Sequence, residues 1–454
     1  MTLAPPAPPL TLRGGTTARL RARVDVLGGR RAVVVDDRPE HLGPTLLGAA
    51  DGDVLTAAAD LARGQRLPLV VVLGAEGTAV GDGIEALAAW GRAARSVVAC
   101  SGSVPVLAGV TGPAVAGPSL LLGVADVVVM AAGARTYVSG PHAVRAMTGT
   151  AISAERLGGA QVHATRTGLA AVVAEDGPDT WAALADVLAW LPDSADELAP
   201  TRRTDDPVDR PTPELRDVLP TRPSGAYDVR DVVRSIVDDG ELLELRPHWA
   251  ANIVTGFAAV GGAPVGVVAN QPGRLAGTLD ITASQKGARF VALCDAFNLP
   301  LVTLVDTPGF APGRDQEWRG MIRKGAQLAF AYARATVPRV CVTLRKSYGG
   351  AHIVMDSKTM GNDLALAWPT AQIAVMGAKG AVEVLHRRAD EDERRRLEAD
   401  YEDRLLNPYV AAERGLVDAV IDPADTRRHV AAGLAVLATK RESLPRRAHD
   451  NAPL

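Results

Sequence analysis

The chain has 454 residues, more than a single domain of ordinary size holds. Hydrophobic residues make up 47% and charged residues 22%, so it buries a sizeable core and is not broadly disordered. A formal charge of −3, a pI near 6.3 and 4% aromatics argue against a nucleic-acid footprint, a stacking platform for single strands and electrostatic attachment to an anionic membrane.

Residues 1–18, rich in Pro, Thr and Gly, read as a flexible N-terminal arm without the continuous apolar stretch of a secretory signal. RVDVLGGRRAVVVDD (23–37) has the pattern of a β-hairpin turning at Gly28–Gly29, and LPLVVVL (67–73) that of a buried strand. The longest apolar run, 119–134, is interrupted by Asp126 and falls short of a membrane span. Residues 196–226 carry Pro200, Pro207, Pro211, Pro213, Pro220 and Pro223 and read as a linker. Beyond it the first half repeats. A second Gly-Gly hairpin spans 253–271, and LPLVTLV (299–305) mirrors LPLVVVL. The segment 319–335 reads as an amphipathic helix with Ile322, Ala326, Ala329 and Phe330 on one face, and TVPRVCVTL (336–344) as the next strand. Gly28 and Gly261 lie 233 residues apart, the two LPLV runs 232, the Val-Pro pairs 104–105 and 337–338 233, and Gly140 and Gly377 237. Four landmarks in one order at nearly one offset indicate an internal duplication. The expected domains are therefore 19–195 and 227–454, each α/β because doubly buried strands alternate with helices. The charged segment 389–406 is expected to be a solvated helix with surface pairs such as Glu391–Arg395.

Familiar catalytic motifs are absent: there is no GxxxxGK[ST], GxSxG, HExxH or CxxC. DTPG (306–309) resembles a GTPase fragment but has no phosphate loop to accompany it. Cys100, Cys294 and Cys341 are an odd, widely spaced set that fits a reducing cytosol, so a cytoplasmic location and no metal site are expected. What remains is glycine where a strand runs into a helix, at RKSYGGAHIVMDSK (345–358). The first N–H groups of a helix have no internal partner, and two aimed at one point form an oxyanion hole at the positive end of the helix dipole. The same glycines also suit a tight turn that needs positive φ. The residues alone leave both readings open.

Beyond these local patterns, the second half resembles the carboxyltransferase (β) subunit of biotin-dependent acyl-CoA carboxylases of the acetyl-/propionyl-CoA carboxylase type, in the crotonase superfamily. The resemblance rests on VVANQP (267–272), AGTLDITASQKGARFV (276–291), CDAFNLPLVTLVDTPGFAPGRDQE (294–317), IRKGAQLAFAYARATVP (322–338), RKSYGGAHIVMDSK (345–358), LAWPTAQIAVMGAKGAVEVLHRR (366–388) and NPYVAAERGLVDAVIDP (407–423). It implies two tandem crotonase-like (ClpP/crotonase) ββα-superhelix domains. It also implies transfer of a carboxyl group from carboxybiotin to the α-carbon of an acyl-CoA, giving malonyl-CoA or methylmalonyl-CoA type products. Biotin would arrive in trans on a biotin carboxyl carrier protein loaded by a biotin carboxylase subunit, and the chain would form a homodimer or a hexamer built as a trimer of dimers, with the site at a dimer interface. Carried onto the matching strings, the resemblance puts Gly350 and Ala351 in a C-terminal oxyanion hole and Ala116 and Gly117 in an N-terminal one. It puts Gly349, Ile353, Pro308, Gly309, Phe310, Ala276 and Gly277 around the substrate and biotin pocket, with Ile353 shaping the acyl site.

The first half departs from the family. Only the hairpin, SGPHAVRAMTG (139–149) and LGGA (157–160) still match. LGAEGTAVGDG (73–83) lacks the family's arginine, HLGP (41–44) replaces Phe-Gly-Gly-Ser, and no lysine precedes Lys286. The family's N-side Gly-Gly becomes Ala116–Gly117–Pro118; if the register follows the repeat, Pro118 falls where Ala351 does and brings no N–H. Two other functions therefore stand beside the first: a biotin-independent decarboxylase or a carboxyltransferase with a non-CoA acceptor, and a non-catalytic assembly or regulatory homologue.

Overall fold

Both Gly-Gly pairs turn tight hairpins. In the computed structural model Gly28 and Gly29 have φ of 57° and 80°, and Gly261 and Gly262 have 60° and 79°. This doubly left-handed geometry is that of a two-residue type I′ turn, which side chains disfavour. The structure describes residues 10–13, 18–37, 46–74, 77–222, 225–440, 442–446, 449 and 451–453, so HLGP (41–44) lies outside the described residues. The chain divides into two units, Met1–Pro200 and Thr201–Leu454.

The strands of the first unit are β1 (Leu10–Arg13), β2 (Leu20–Leu27), β3 (Arg30–Asp37), β4 (Leu69–Leu73), β5 (Val106–Val110), β6 (Pro113–Val115), β7 (Val127–Ala131), β8 (Arg135–Tyr137) and β9 (Val172–Ala174). The main sheet runs β1-β2-β3-β4-β5-β7-β9, with β6 paired to β8 apart from it. The strands of the second unit are β10 (Leu243–Glu244), β11 (Ile253–Val260), β12 (Ala263–Asn270), β13 (Leu301–Thr307), β14 (Arg339–Tyr348), β15 (Leu364–Ala367), β16 (Gln372–Ala374) and β17 (Ala419–Val420). Their order is β10-β11-β12-β13-β14-β15-β17, with β16 on the far end of β14. In both units an antiparallel hairpin leads into parallel strands joined by helical crossovers. β4, β5, β7 and β13 are buried along their whole length, which is why their sequences read as unbroken apolar runs. Each unit also packs two crossover helices through a glycine. A Cβ on Gly52 would lie 2.8 Å from Ala89, and one on Gly287 would lie 3.0 Å from Leu328 Cδ1.

Three expectations change. Four residues of the N-terminal segment, Leu10–Arg13, form β1 and pair antiparallel with β2. Residues 201–222, read as linker, are part of the second unit. The Arg202 N–H donates to the Gly262 carbonyl at 2.8 Å, the Thr212 N–H to the Ala424 carbonyl at 2.8 Å, Leu215 is buried, and Arg216 pairs with Asp422 at 2.8 Å. The helix Met321–Arg334 buries Met321, Gly325, Leu328, Ala331 and Tyr332, and leaves Ile322 84% exposed. The inward stripe is turned one residue from the expected one because Gly325 admits the Phe310 ring, 3.3 Å from where a Cβ would stand.

The charged segment is a helix over Glu391–Tyr401 with no buried residue, ending in a π-helical turn, Glu402–Leu406. Arg395 sits closer to Asp392, at 2.8 Å, than to Glu391, at 3.9 Å. Among the described residues no helix is long and apolar enough to cross a membrane. All three cysteines are buried; burial raises the Cys100 thiol to about 11 and lifts Cys294 and Cys341 well above the ordinary thiol range. The native protein should therefore resist a thiol-specific dye at pH 8 and react at three sites in denaturant. Titration of any thiol in the native state would contradict this burial.

Candidate functional site

In the second unit the sequence-expected residues converge at the C-terminal ends of β12, β13 and β14. The first stretch of β14 pairs with β13 and β15, while its last three residues, Lys346–Tyr348, pair with β16. Gly349 then adopts φ 55° and starts the short helix Gly349–Val354. The N–H groups of Gly350 and Ala351 fall in the first turn of that helix, where no intrahelical acceptor exists. Gly350 is exposed and Ala351 fully buried.

Phe310 closes one side of this turn. Its ring lies 3.3 Å from the Cβ position of Gly350 and 3.3 Å from that of Gly325, so a side chain at either position would press on the ring. Gly309, φ 137°, accepts a 3.0 Å hydrogen bond from the Leu279 N–H, and the Ala311 N–H returns one to the Leu279 carbonyl at 2.8 Å. This bridge ties Pro308–Gly309–Phe310 to the loop carrying Ala276 and Gly277. That loop is left-handed over three successive residues, Leu275, Ala276 and Gly277, with φ of 47°, 53° and 72°. A Cβ on Gly277 would stand 2.3 Å from the Asp306 carbonyl oxygen, so only glycine fits. Ile353 is 47% exposed one turn further along.

Beneath the loops lies a buried polar network that the motifs did not single out. Asp306, 1% exposed, accepts hydrogen bonds from the Tyr227 hydroxyl at 2.9 Å, Arg345 Nε at 3.0 Å and the Lys346 N–H at 3.1 Å. Arg345 also donates to the Gly225 carbonyl at 2.9 Å, and its guanidinium lies 5.4 Å from the Tyr227 ring centroid. Burial pushes the Asp306 carboxyl up and the Arg345 guanidinium opposes it. The network fixes the ends of β13 and β14, from which the loops 307–310 and 346–351 leave. Its only sequence signals were two residues inside matched strings, Asp306 of DTPG and Arg345 before Lys-Ser-Tyr-Gly-Gly. Ser347 Oγ and His352 Nδ1 are 2.9 Å apart, and burial lowers the His352 imidazole. Ser347 is 1% exposed, so this pair ties the helix to the strand rather than presenting a nucleophile.

The first unit carries the same turn. β6 pairs with β8 up to Val115–Tyr137, as β14 pairs with β16 up to Tyr348–Ala374, and the next residue is left-handed in both, Ala116 at φ 65° and Gly349 at φ 55°. This shared backbone sets Gly117 level with Gly350 and Pro118 level with Ala351. Ala116, one of the two expected donors on this side, has its N–H bound to the Tyr137 carbonyl at 3.1 Å because the β6–β8 ladder runs one residue further. Gly117 is then the one backbone donor of this turn that remains. Among the described residues no group of three or more His, Cys, Asp or Glu is placed to hold a metal.

Residues 25–452 match the model of the carboxyl transferase domain. The propionyl-CoA carboxylase beta chain of Saccharopolyspora erythraea is 44% identical over 445 residues, 94% of this chain and 81% of that protein. The methylmalonyl-CoA carboxyltransferase 12S subunit of Propionibacterium freudenreichii is 41% identical over 441 residues, 94% and 84% of the two. The crystal structure of a transcarboxylase 12S hexamer with methylmalonyl-coenzyme A bound superposes with a TM-score of 0.93 at 39% identity, covering 96% of this chain and 85% of that one. The expected α/β architecture of tandem crotonase-like domains therefore holds. With a family model spanning almost its whole length and such relatives over nine-tenths of it, the chain belongs to the carboxyl transferase domain family.

Proposed function

We propose that the chain is the carboxyltransferase subunit of a biotin-dependent acyl-CoA carboxylase, transferring a carboxyl group to the α-carbon of a short acyl-CoA such as propionyl-CoA. The observation that carries the reading is the Gly349 turn, which leaves the Gly350 and Ala351 N–H groups without acceptors beside the Phe310 ring. The names of the relatives support the chemistry and the CoA thioester. Carboxybiotin, delivered by a carrier protein, supplies CO₂ and a basic ureido nitrogen. The chain itself then needs no general base. Its task is to hold developing negative charge on oxygen with the two N–H groups, which are fixed before the reaction begins. Phe310, the Ala276–Gly277 loop and Pro308–Gly309 border this turn and shape the pocket.

The same reading gives a cytoplasmic setting, a biotin carboxylase and its carrier as partners, and a homodimer or hexamer, as in the solved 12S assembly. The exposed Trp318 and Ile322, 78% and 84% accessible, support a face covered by protein. With a biotin carboxylase, a biotinylated carrier, ATP and ¹⁴C-bicarbonate, the chain should fix label into methylmalonyl-CoA or malonyl-CoA; no label in any acyl-CoA would sink the reading. By the family resemblance Ile353, half-exposed beside the turn, is assigned to the wall of the acyl site. Ile353→Asp should lower kcat/KM for propionyl-CoA relative to acetyl-CoA by about tenfold, and an unchanged ratio would remove Ile353 from the acyl site.

A further inference from the structure

Pro118 leaves the first unit's turn with one backbone donor, yet two side-chain donors stand beside it. Thr78 Oγ1 and Trp90 Nε1 are both shielded from solvent and have no hydrogen-bond partner. Trp90 is only 6% exposed, on the helix Gly83–Cys100, and packs into the core of the first unit. A Cβ built on Gly117 would lie 3.5 Å from Thr78 Oγ1 and 3.7 and 3.9 Å from Cγ and Cδ1 of Trp90. Cδ1 is the ring carbon bonded to Nε1, so the five-membered ring of the indole packs against Gly117 with its Cγ–Cδ1 side. Thr78 is held by the backbone on both sides, since the Leu47 N–H donates to the Gly77 carbonyl at 2.6 Å and the Ala79 N–H to the Leu47 carbonyl at 2.9 Å.

Buried donors without acceptors are costly and uncommon in folded chains. Two of them meeting at one glycine, where the paired copy has a second backbone N–H, call for an acceptor that arrives with a ligand. The donors are all uncharged, which suits a carbonyl oxygen on its way to bearing charge better than a phosphate. We propose that the first unit holds the carbonyl oxygen of an acyl thioester through a mixed set, the Gly117 N–H, the Thr78 hydroxyl and the Trp90 indole N–H. The side chains take the place of the backbone donor lost at Pro118. The identity of the ligand rests on the carboxyltransferase reading; the donor set rests on the geometry.

The test compares propionyl-CoA with S-propyl-CoA, a thioether without the carbonyl, by calorimetric titration of the full-length protein. Wild type should prefer the thioester about tenfold, and Thr78→Val or Trp90→Phe should each remove most of that preference. Thr78→Val is isosteric and deletes an unpaired donor, so its Tm should not fall, which separates a ligand role from a structural one. Gly117→Ala places a methyl at ordinary contact distances in the same space and should weaken thioester binding in a folded protein. An undiminished thioester preference in both Thr78→Val and Trp90→Phe overturns the donor set, while normal carboxylation by those variants leaves the carboxyltransferase reading standing. A wild type that binds neither acyl-CoA nor its thioether overturns both.

Discussion

Ala351→Pro should lower carboxyl transfer by ~10²–10³ and leave the fold intact. The chain contains its own precedent for the substitution. Pro118 occupies the equivalent position in the first unit, buried, two residues after the positive-φ residue that follows the same parallel pairing. Proline removes the N–H and is tolerated in the first turn of a helix, where that N–H has no helical acceptor. The loss should appear in kcat more than in KM, because the donor acts on charge that develops in the transition state. Gly350→Pro removes the neighbouring donor and should abolish turnover in the same way. Ala351→Gly keeps the N–H and should stay within a few-fold of wild type. Normal turnover in Ala351→Pro would place the oxyanion elsewhere.

Arg339→Met should destabilise the protein by about 3–5 kcal/mol at neutral pH, and by less as the pH falls. Arg339 and Asp356 are 2% and 0% exposed and pair at 2.8 Å in the core of the second unit. Asp356 also accepts hydrogen bonds from Asn362 Nδ2 at 2.9 Å and Thr303 Oγ1 at 3.3 Å. Burial already raises the Asp356 carboxyl, and Arg339 is the chief opposing influence. Without the guanidinium the folded-state pKa moves further above the unfolded value of 3.8. The native state then binds a proton that the unfolded state has released, so stability falls as pH rises between the two values and is regained on acidification. Urea melts at pH 5 and pH 8 measure this directly. A loss of equal size at both values would mean that Asp356 does not carry the buried charge. Asp356→Asn suits the left-handed backbone there, φ 57°, and added to Arg339→Met it should recover much of the loss at pH 8.

Features of the chain that depend on near neighbours were legible in the sequence. The two hairpins follow from paired glycines between β-rich runs, the buried strands from unbroken apolar runs, and the Gly349 turn from glycine between a strand and a helix. The duplication followed from the order of these signals. Features that depend on distant contacts were not. The inward face of the helix Met321–Arg334 is decided by Phe310 seating on Gly325, so counting apolar side chains picked Ile322 instead. Proline content alone marked 201–222 as a linker, although those residues carry backbone partners and a buried leucine in the second unit. Asp306 meets Tyr227, 79 residues away, and Arg345, 39 residues away, so no local pattern announces the network. Ala116 bears a positive φ that its side chain conceals, and only the backbone shared with Gly349 fixes the register in which Pro118 replaces a donor.

The central claim is that this chain itself moves a carboxyl group between a CoA thioester and biotin. The reverse half-reaction tests it without any partner protein: the isolated chain with free biotin and methylmalonyl-CoA labelled with ¹⁴C in its free carboxyl group. Loss of label from the thioester should depend on biotin, yield propionyl-CoA, and fall by ~10²–10³ in Ala351→Pro. Decarboxylation at the same rate with and without biotin, or no loss of label at either condition, would contradict the account.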